Sequence, residues 1–198
     1  MKKIEIINVT KSYKKIDILK QVSYCFESGK CYLIIGANGA GKSTLLKLIT
    51  KMIYPIQGEI KLYDLKIGYV PDKLTLPLNI TVNLFLKTIT NLKNGNIMNT
   101  IMLMKYFDLY ENKNKYLNQL SKGMLQKILI IQAFIGEPDV LIFDEALNGL
   151  DIVMQKKLIE LIGKEKNKDK IIIITSHYPN YYDDVIDVKV KLENGKIN

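Results

Sequence analysis

Residues 2–9 alternate apolar and polar side chains, the period of a strand buried on one face. A second apolar stretch, 22–26, reads as a strand ending in the turn Glu27-Ser28-Gly29-Lys30. Residues 31–35 form an unbroken apolar run, the pattern of a strand covered on both faces of a parallel sheet. A helix is expected over about 42–52. The period then changes. Leu84, Leu86 and Ile89 recur at helical spacing, as do Ile97, Ile101, Met104 and Phe107, and the stretch 122–135 reads the same way. Strand pattern returns at 140–143, followed by a helix over about 151–162 and a strand at 171–175. The tail, 185–192 with Asn194-Gly195 and then 196–197, predicts a closing hairpin. This order predicts an α/β core with a helical insertion. No internal repeat or Pro/Gly/Ser linker divides it, so 1–198 is expected to fold as one domain. The mixed run 164–170 reads most simply as a solvated loop.

Composition narrows the chemistry. The chain has 198 residues, 47% hydrophobic and 25% charged, which is ordinary for a globular protein. Its net charge is +9, and all 29 basic residues are lysine. Without arginine the chain supplies no arginine finger to a transferring phosphoryl group and no bidentate fork for guanine. Lysine meets phosphate only as a flexible point charge. No apolar run approaches the roughly 20 residues that span a bilayer. The start, Met1-Lys2-Lys3, leads into strand pattern, so no secretory signal is expected. Cys25 and Cys31 sit among strand-like residues and are expected to be buried, reduced thiols, with the cytosol as compartment.

The clearest motif is Gly36-Ala37-Asn38-Gly39-Ala40-Gly41-Lys42-Ser43-Thr44, which follows the buried strand and opens a helix. It satisfies G-x-x-x-x-G-K-[ST] in the context that the pattern requires. Glycines let the backbone approach an anion closely, so successive N–H groups and the helix N-terminus can cradle phosphate oxygens. Lys42 is expected to reach the β- and γ-phosphates of a nucleotide, and the Ser43 hydroxyl to hold Mg2+. The run 140–143 ends in Asp144-Glu145. Asp144 is the candidate metal carboxylate and Glu145 the candidate general base for an attacking water.

Between these two sites lies Leu120-Ser121-Lys122-Gly123-Met124-Leu125-Gln126-Lys127. With them it resembles the nucleotide-binding subunit of an ATP-binding-cassette (ABC) transporter over nearly the whole chain. The family signature is usually L-S-G-G-Q; here Lys122 and Met124 depart from it. The resemblance implies a P-loop NTPase core with an N-terminal antiparallel β part. A helical subdomain, about 76–135, would be inserted between the Q-loop and the signature segment. It also implies that Ser121 and Gly123 face ATP held by another subunit's P-loop in a head-to-tail homodimer or heterodimer. Asn148-Gly149-Leu150-Asp151 resembles the D-loop, and Asp151 joins the nucleotide-binding set. Thr175-Ser176-His177 resembles the switch histidine, and Tyr13 lies where the family stacks an aromatic ring on adenine. Gly68-Tyr69-Val70-Pro71-Asp72 resembles the Q-loop with Asp72 in place of glutamine, where it could meet Mg2+ or water. The segment 76–86 resembles the surface that receives a permease's coupling helix.

The expected function is therefore an ATPase that energises a separate membrane permease, peripheral on the inner face of the cell membrane. Compact length, with no regulatory C-terminal domain, and the Leu-Ser-Lys-Gly variant suggest export or self-immunity, with a peptide or antimicrobial cargo. A soluble ABC ATPase acting on ribosomes or nucleic acid is the alternative that the lysine excess invites. The lysines are scattered, however, and no nucleic acid is expected. A small-molecule kinase would use the P-loop and leave Ser121, Gly123 and His177 unexplained.

Overall fold

The computed structural model describes residues 2–73 and 76–197. Met1, the first residue of the Met1-Lys2-Lys3 start, lies outside the described residues. In chain order the first elements are β1 (Lys3–Tyr13), β2 (Ile16–Glu27), β3 (Lys30–Ile35), α1 (Lys42–Ile49), β4 (Gln57–Lys61) and β5 (Ile67–Val70). Then come α2 (Val82–Leu92), α3 (Ile97–Tyr106), α4 (Lys122–Phe134), β6 (Val140–Asp144), α5 (Ile152–Lys166), β7 (Ile171–Thr175), β8 (Val188–Glu193) and β9 (Lys196–Ile197). The helical insertion and the closing hairpin are present as expected.

Two sheets result. One has the order β2-β1-β4 and is antiparallel. The other has the order β5-β6-β7-β3-β8-β9, parallel from β5 to β8 with β9 folded back antiparallel. The apolar runs of β3, β6 and β7 are explained by two cores. Cys31, Leu33, Leu141, Phe143, Ile172 and Ile174 point to the face covered by α2 to α5. Tyr32, Ile34, Val140, Ile142, Ile171 and Ile173 point the other way, against α1 and the antiparallel sheet. Alternation along a strand sends successive side chains into different cores, so neither parity can be polar.

The antiparallel sheet differs from expectation in extent. β1 runs to Tyr13 and β2 begins at Ile16, joined through Lys14 and Lys15 at φ 48° and 67°. That is the positive-φ pair a two-residue hairpin needs, here without the usual Asn or Gly. β4 and β5 were not anticipated. β4 keeps only Ile60 partly covered, so its identity comes from pairing with β1.

Other expectations are corrected. Cys25 is exposed, because it alternates with the inward-facing Tyr24 and Phe26; Cys31 alone is buried. Residues 164–166 are the last turn of α5, not loop, and Glu165 in that turn is buried. Helix α1 stops at Ile49, where Thr50 returns its hydroxyl to Leu46 O at 3.0 Å.

Candidate active site

The phosphate loop connects β3 to α1. Gly36 is required because a Cβ there would run into the Leu192 carbonyl of β8. Gly41 precedes α1 at φ 105°, a left-handed conformation that disfavours any side chain. Lys42 Nζ donates to the Gly36 and Ala37 carbonyls at 2.8 and 3.2 Å. Its charge is thus held over the loop. Ser43 Oγ donates to Asp144 Oδ1 at 3.3 Å, joining the loop to the end of β6.

At that end Asp144 pairs in register with Thr175 of β7, whose hydroxyl donates to Oδ1 at 2.6 Å. Glu145 follows at φ 54°, an uncommon backbone state for a residue with a Cβ. Its N–H donates to Thr175 O at 3.2 Å. The carboxylate is 9% exposed, and His177 N–H donates to Oε2 at 2.9 Å. The imidazole Nε2 of His177 lies 3.6 Å from Oε1, and the side chain is 51% exposed. Oε1 is shut off from solvent with no hydrogen-bond partner among the described residues.

These groups converge on one cleft of about 340 Å3, lined by Tyr13, Ile18, Asn38, Gly39, Gly41, Lys42, Ser43, Thr44, Asp72, Asp144, Glu145 and His177. Tyr13, 46% exposed, closes one side, with Lys11 Nζ 5.4 Å from its ring centroid. Gly36, Ala37 and Ala40 shape the loop but face the β8–β9 hairpin instead.

Three further expected site residues, Ser121, Gly123 and Asp151, lie outside this cleft. The Ser121 hydroxyl accepts from Met124 N at 3.3 Å and caps α4. A Cβ on Gly123 would lie 2.7 Å from Gly149 O, so α4 starts against the segment following Glu145. Gln126 Nε2 adds a bond to Ala146 O at 3.0 Å. Asp151 accepts from Met154 N at 2.9 Å and caps α5. Sequence reasoning also missed three contributors. Thr175 had one available signal, a hydroxyl at a strand end level with Asp144. Ile18 was hidden with the unforeseen half of β2, and Tyr69 with β5.

The arrangement fits a nucleotide phosphate with a divalent ion. The loop offers backbone N–H groups, the Ser43 hydroxyl and Asp144 carboxylate are an oxygen pair suited to a hard cation, and Glu145 has an unused acceptor. Among the described residues no three His, Cys, Asp or Glu side chains form a metal site by themselves. The ion would therefore be held jointly with phosphate oxygens.

Comparison with known proteins agrees with this geometry. The family model described as ABC transporter matches residues 19–148. The zinc import ATP-binding protein ZnuC of Buchnera aphidicola subsp. Schizaphis graminum is 35% identical over 182 residues, covering 90% of this chain and 75% of its own. The uncharacterised ABC transporter ATP-binding protein YybJ of Bacillus subtilis is 28% identical, covering 98% and 94%. A solved ATP-binding subunit of an ABC transporter superposes with a TM-score of 0.90 at 27% identity, covering 98% of this chain and 87% of its own. The dimeric bacterial cassette MJ0796 gives 0.86 at 25%, covering 98% and 96%.

Proposed function

The chain belongs to the ABC transporter family, and from that membership we propose that it binds and hydrolyses ATP to drive a separate membrane permease. The observation that carries the reading is the convergence of Lys42, Ser43, Asp144, Glu145 and His177 on one cleft, with Glu145 Oε1 left unpartnered.

ATP is the substrate. Loop N–H groups and the start of α1 bind its phosphates, and Lys42 exchanges the Gly36 and Ala37 carbonyls for phosphate oxygens. Tyr13 stacks on the adenine. Ser43 and Asp144, with Asp72 in the same cleft lining, would hold Mg2+, which would supply charge neutralisation on the phosphates. Glu145 accepts a proton from water as its oxygen bonds to the γ-phosphorus and the bond to the β-phosphate oxygen breaks. The His177 N–H steadies that carboxylate, and the imidazole edge faces the same space. Ser121, Gly123 and Asp151 serve a second subunit's nucleotide, a reading supported by their position outside this chain's own cleft. That subunit is a second copy or a related cassette.

No helix among the described residues is long and apolar enough to cross a membrane. Relatives named as ATP-binding proteins support a separate permease as the transport pathway, with this chain working at its cytoplasmic face. Relatives named for zinc import support uptake as the direction. Neither they nor YybJ is named for export of a peptide or antimicrobial, or for action on ribosomes or nucleic acid.

Size-exclusion chromatography of Glu145→Gln tests the cycle. With ATP and Mg2+ it should elute as a dimer, and with ADP as a monomer. A monomer in both states, together with failure to copurify with any multispanning membrane protein, would sink the proposal.

A further inference from the structure

The cleft wall carries three carboxylates, Asp72, Asp144 and Glu145, against a single lysine, Lys42. Tyr69 relates two of them. β5 and β6 run parallel with Tyr69 opposite Ile142. The side chains of Tyr69 and Asp144 therefore leave the same face of the sheet one diagonal step apart, within reach of a long aromatic side chain. Asp72 follows β5 by two residues. The Tyr69 hydroxyl is shut off from solvent and has no hydrogen-bond partner among the described residues. Burial raises its pKa, and the Asp144 and Asp72 carboxylates raise it further, so both acids act on one buried phenol.

Two consequences follow from charge. A triphosphate entering alone meets the Asp72 and Asp144 carboxylates. A divalent cation entering alone finds no three acidic, His or Cys groups able to hold it among the described residues. Each ligand removes the other's obstacle. Resting on the ATP reading of this cleft, we propose that Asp72 makes nucleotide binding conditional on the divalent cation. A neutral side chain at 72 lifts part of the penalty on metal-free ATP. One unit charge across a partly solvated cleft is worth on the order of tenfold in affinity.

The test is a titration of the full-length chain with a fluorescent, non-hydrolysable ATP analogue, in Mg2+ and in EDTA. It compares wild type and Asp72→Asn. The ratio of the two affinities should fall by about tenfold in Asp72→Asn, chiefly because EDTA binding improves. An Asp72→Asn ratio within about twofold of wild type overturns the role of Asp72 and leaves the ATP site standing. Wild type that binds under neither condition fails the ATP reading itself.

Discussion

Two buried glutamates sit at opposite ends of the same sheet. Glu145 follows the C-terminal end of β6, and Glu165 ends α5 beside the start of β7; they are 9% and 7% exposed. Glu165 accepts from Lys168 Nζ at 2.7 Å and forms a second ion pair with Lys170. Burial raises its carboxyl, but these two lysines outweigh that and hold its pKa below the usual value. Glu145 has one N–H on one oxygen, no hydrogen bond on the other among the described residues, and a left-handed backbone. The protein completes one acid with its own cations and leaves the other with an oxygen that accepts no hydrogen bond among the described residues. Cavity size does not separate them: Glu165 lines the larger hollow, about 650 Å3 against 340 Å3. What separates them is whether the acid's hydrogen bonds are already made.

The largest expected effect is on catalysis. Glu145→Gln should lower phosphate release by roughly a thousandfold, while its thermal midpoint stays near wild type. Comparable loss per folded molecule in Glu165→Gln would break the comparison. Next comes stability. Glu165→Ala strands the mostly buried Lys170 ammonium and should cost about 2 kcal/mol in urea unfolding, with hydrolysis per folded molecule retained. The pH dependence has a definite sign. Because the folded pKa of Glu165 is depressed, its stabilisation is fully present above the unfolded value, near 4.5, and is lost as pH falls through the folded one. The stability gap between wild type and Glu165→Gln should therefore narrow as unfolding is measured at progressively lower pH. Smallest is Lys164→Ala. Its exposed pair with Glu160 should leave the melting midpoint unchanged, separating the buried network from the charge of the run around it.

The catalytic end was the legible one. Its strands are central and parallel, so burial on both faces forces unbroken apolar runs, and each run ends at a residue whose chemistry is exposed by contrast. β3 leads to Gly36, β6 to Asp144 and β7 to Thr175. Peripheral elements offered no such signal. β4 has the composition of a loop and becomes a strand only through β1. The hairpin at Lys14-Lys15 uses residues that give no hint of positive φ. Glu165 was hidden for a related reason: in a run of alternating Lys, Glu, Asn and Asp nothing local marks the one acid that tertiary packing covers. The positions of Ser121, Gly123 and Asp151 outside the cleft were implied only by resemblance. In this chain they cap helices or fit against Gly149, which explains their residue types without a ligand.

The lysine of the phosphate loop has a kinetic consequence. With Lys42 already bonded to the Gly36 and Ala37 carbonyls, occupation of the loop is an exchange reaction. Two neutral acceptors take up two of the ammonium's three N–H donors, so an anion drawing on those donors displaces them. These bonds should hold the loop's shape without nucleotide, and simple monovalent anions at low concentration should compete poorly for it. The enthalpy of nucleotide capture should be smaller than a bare count of new hydrogen bonds suggests, because two of them replace bonds the protein was already making.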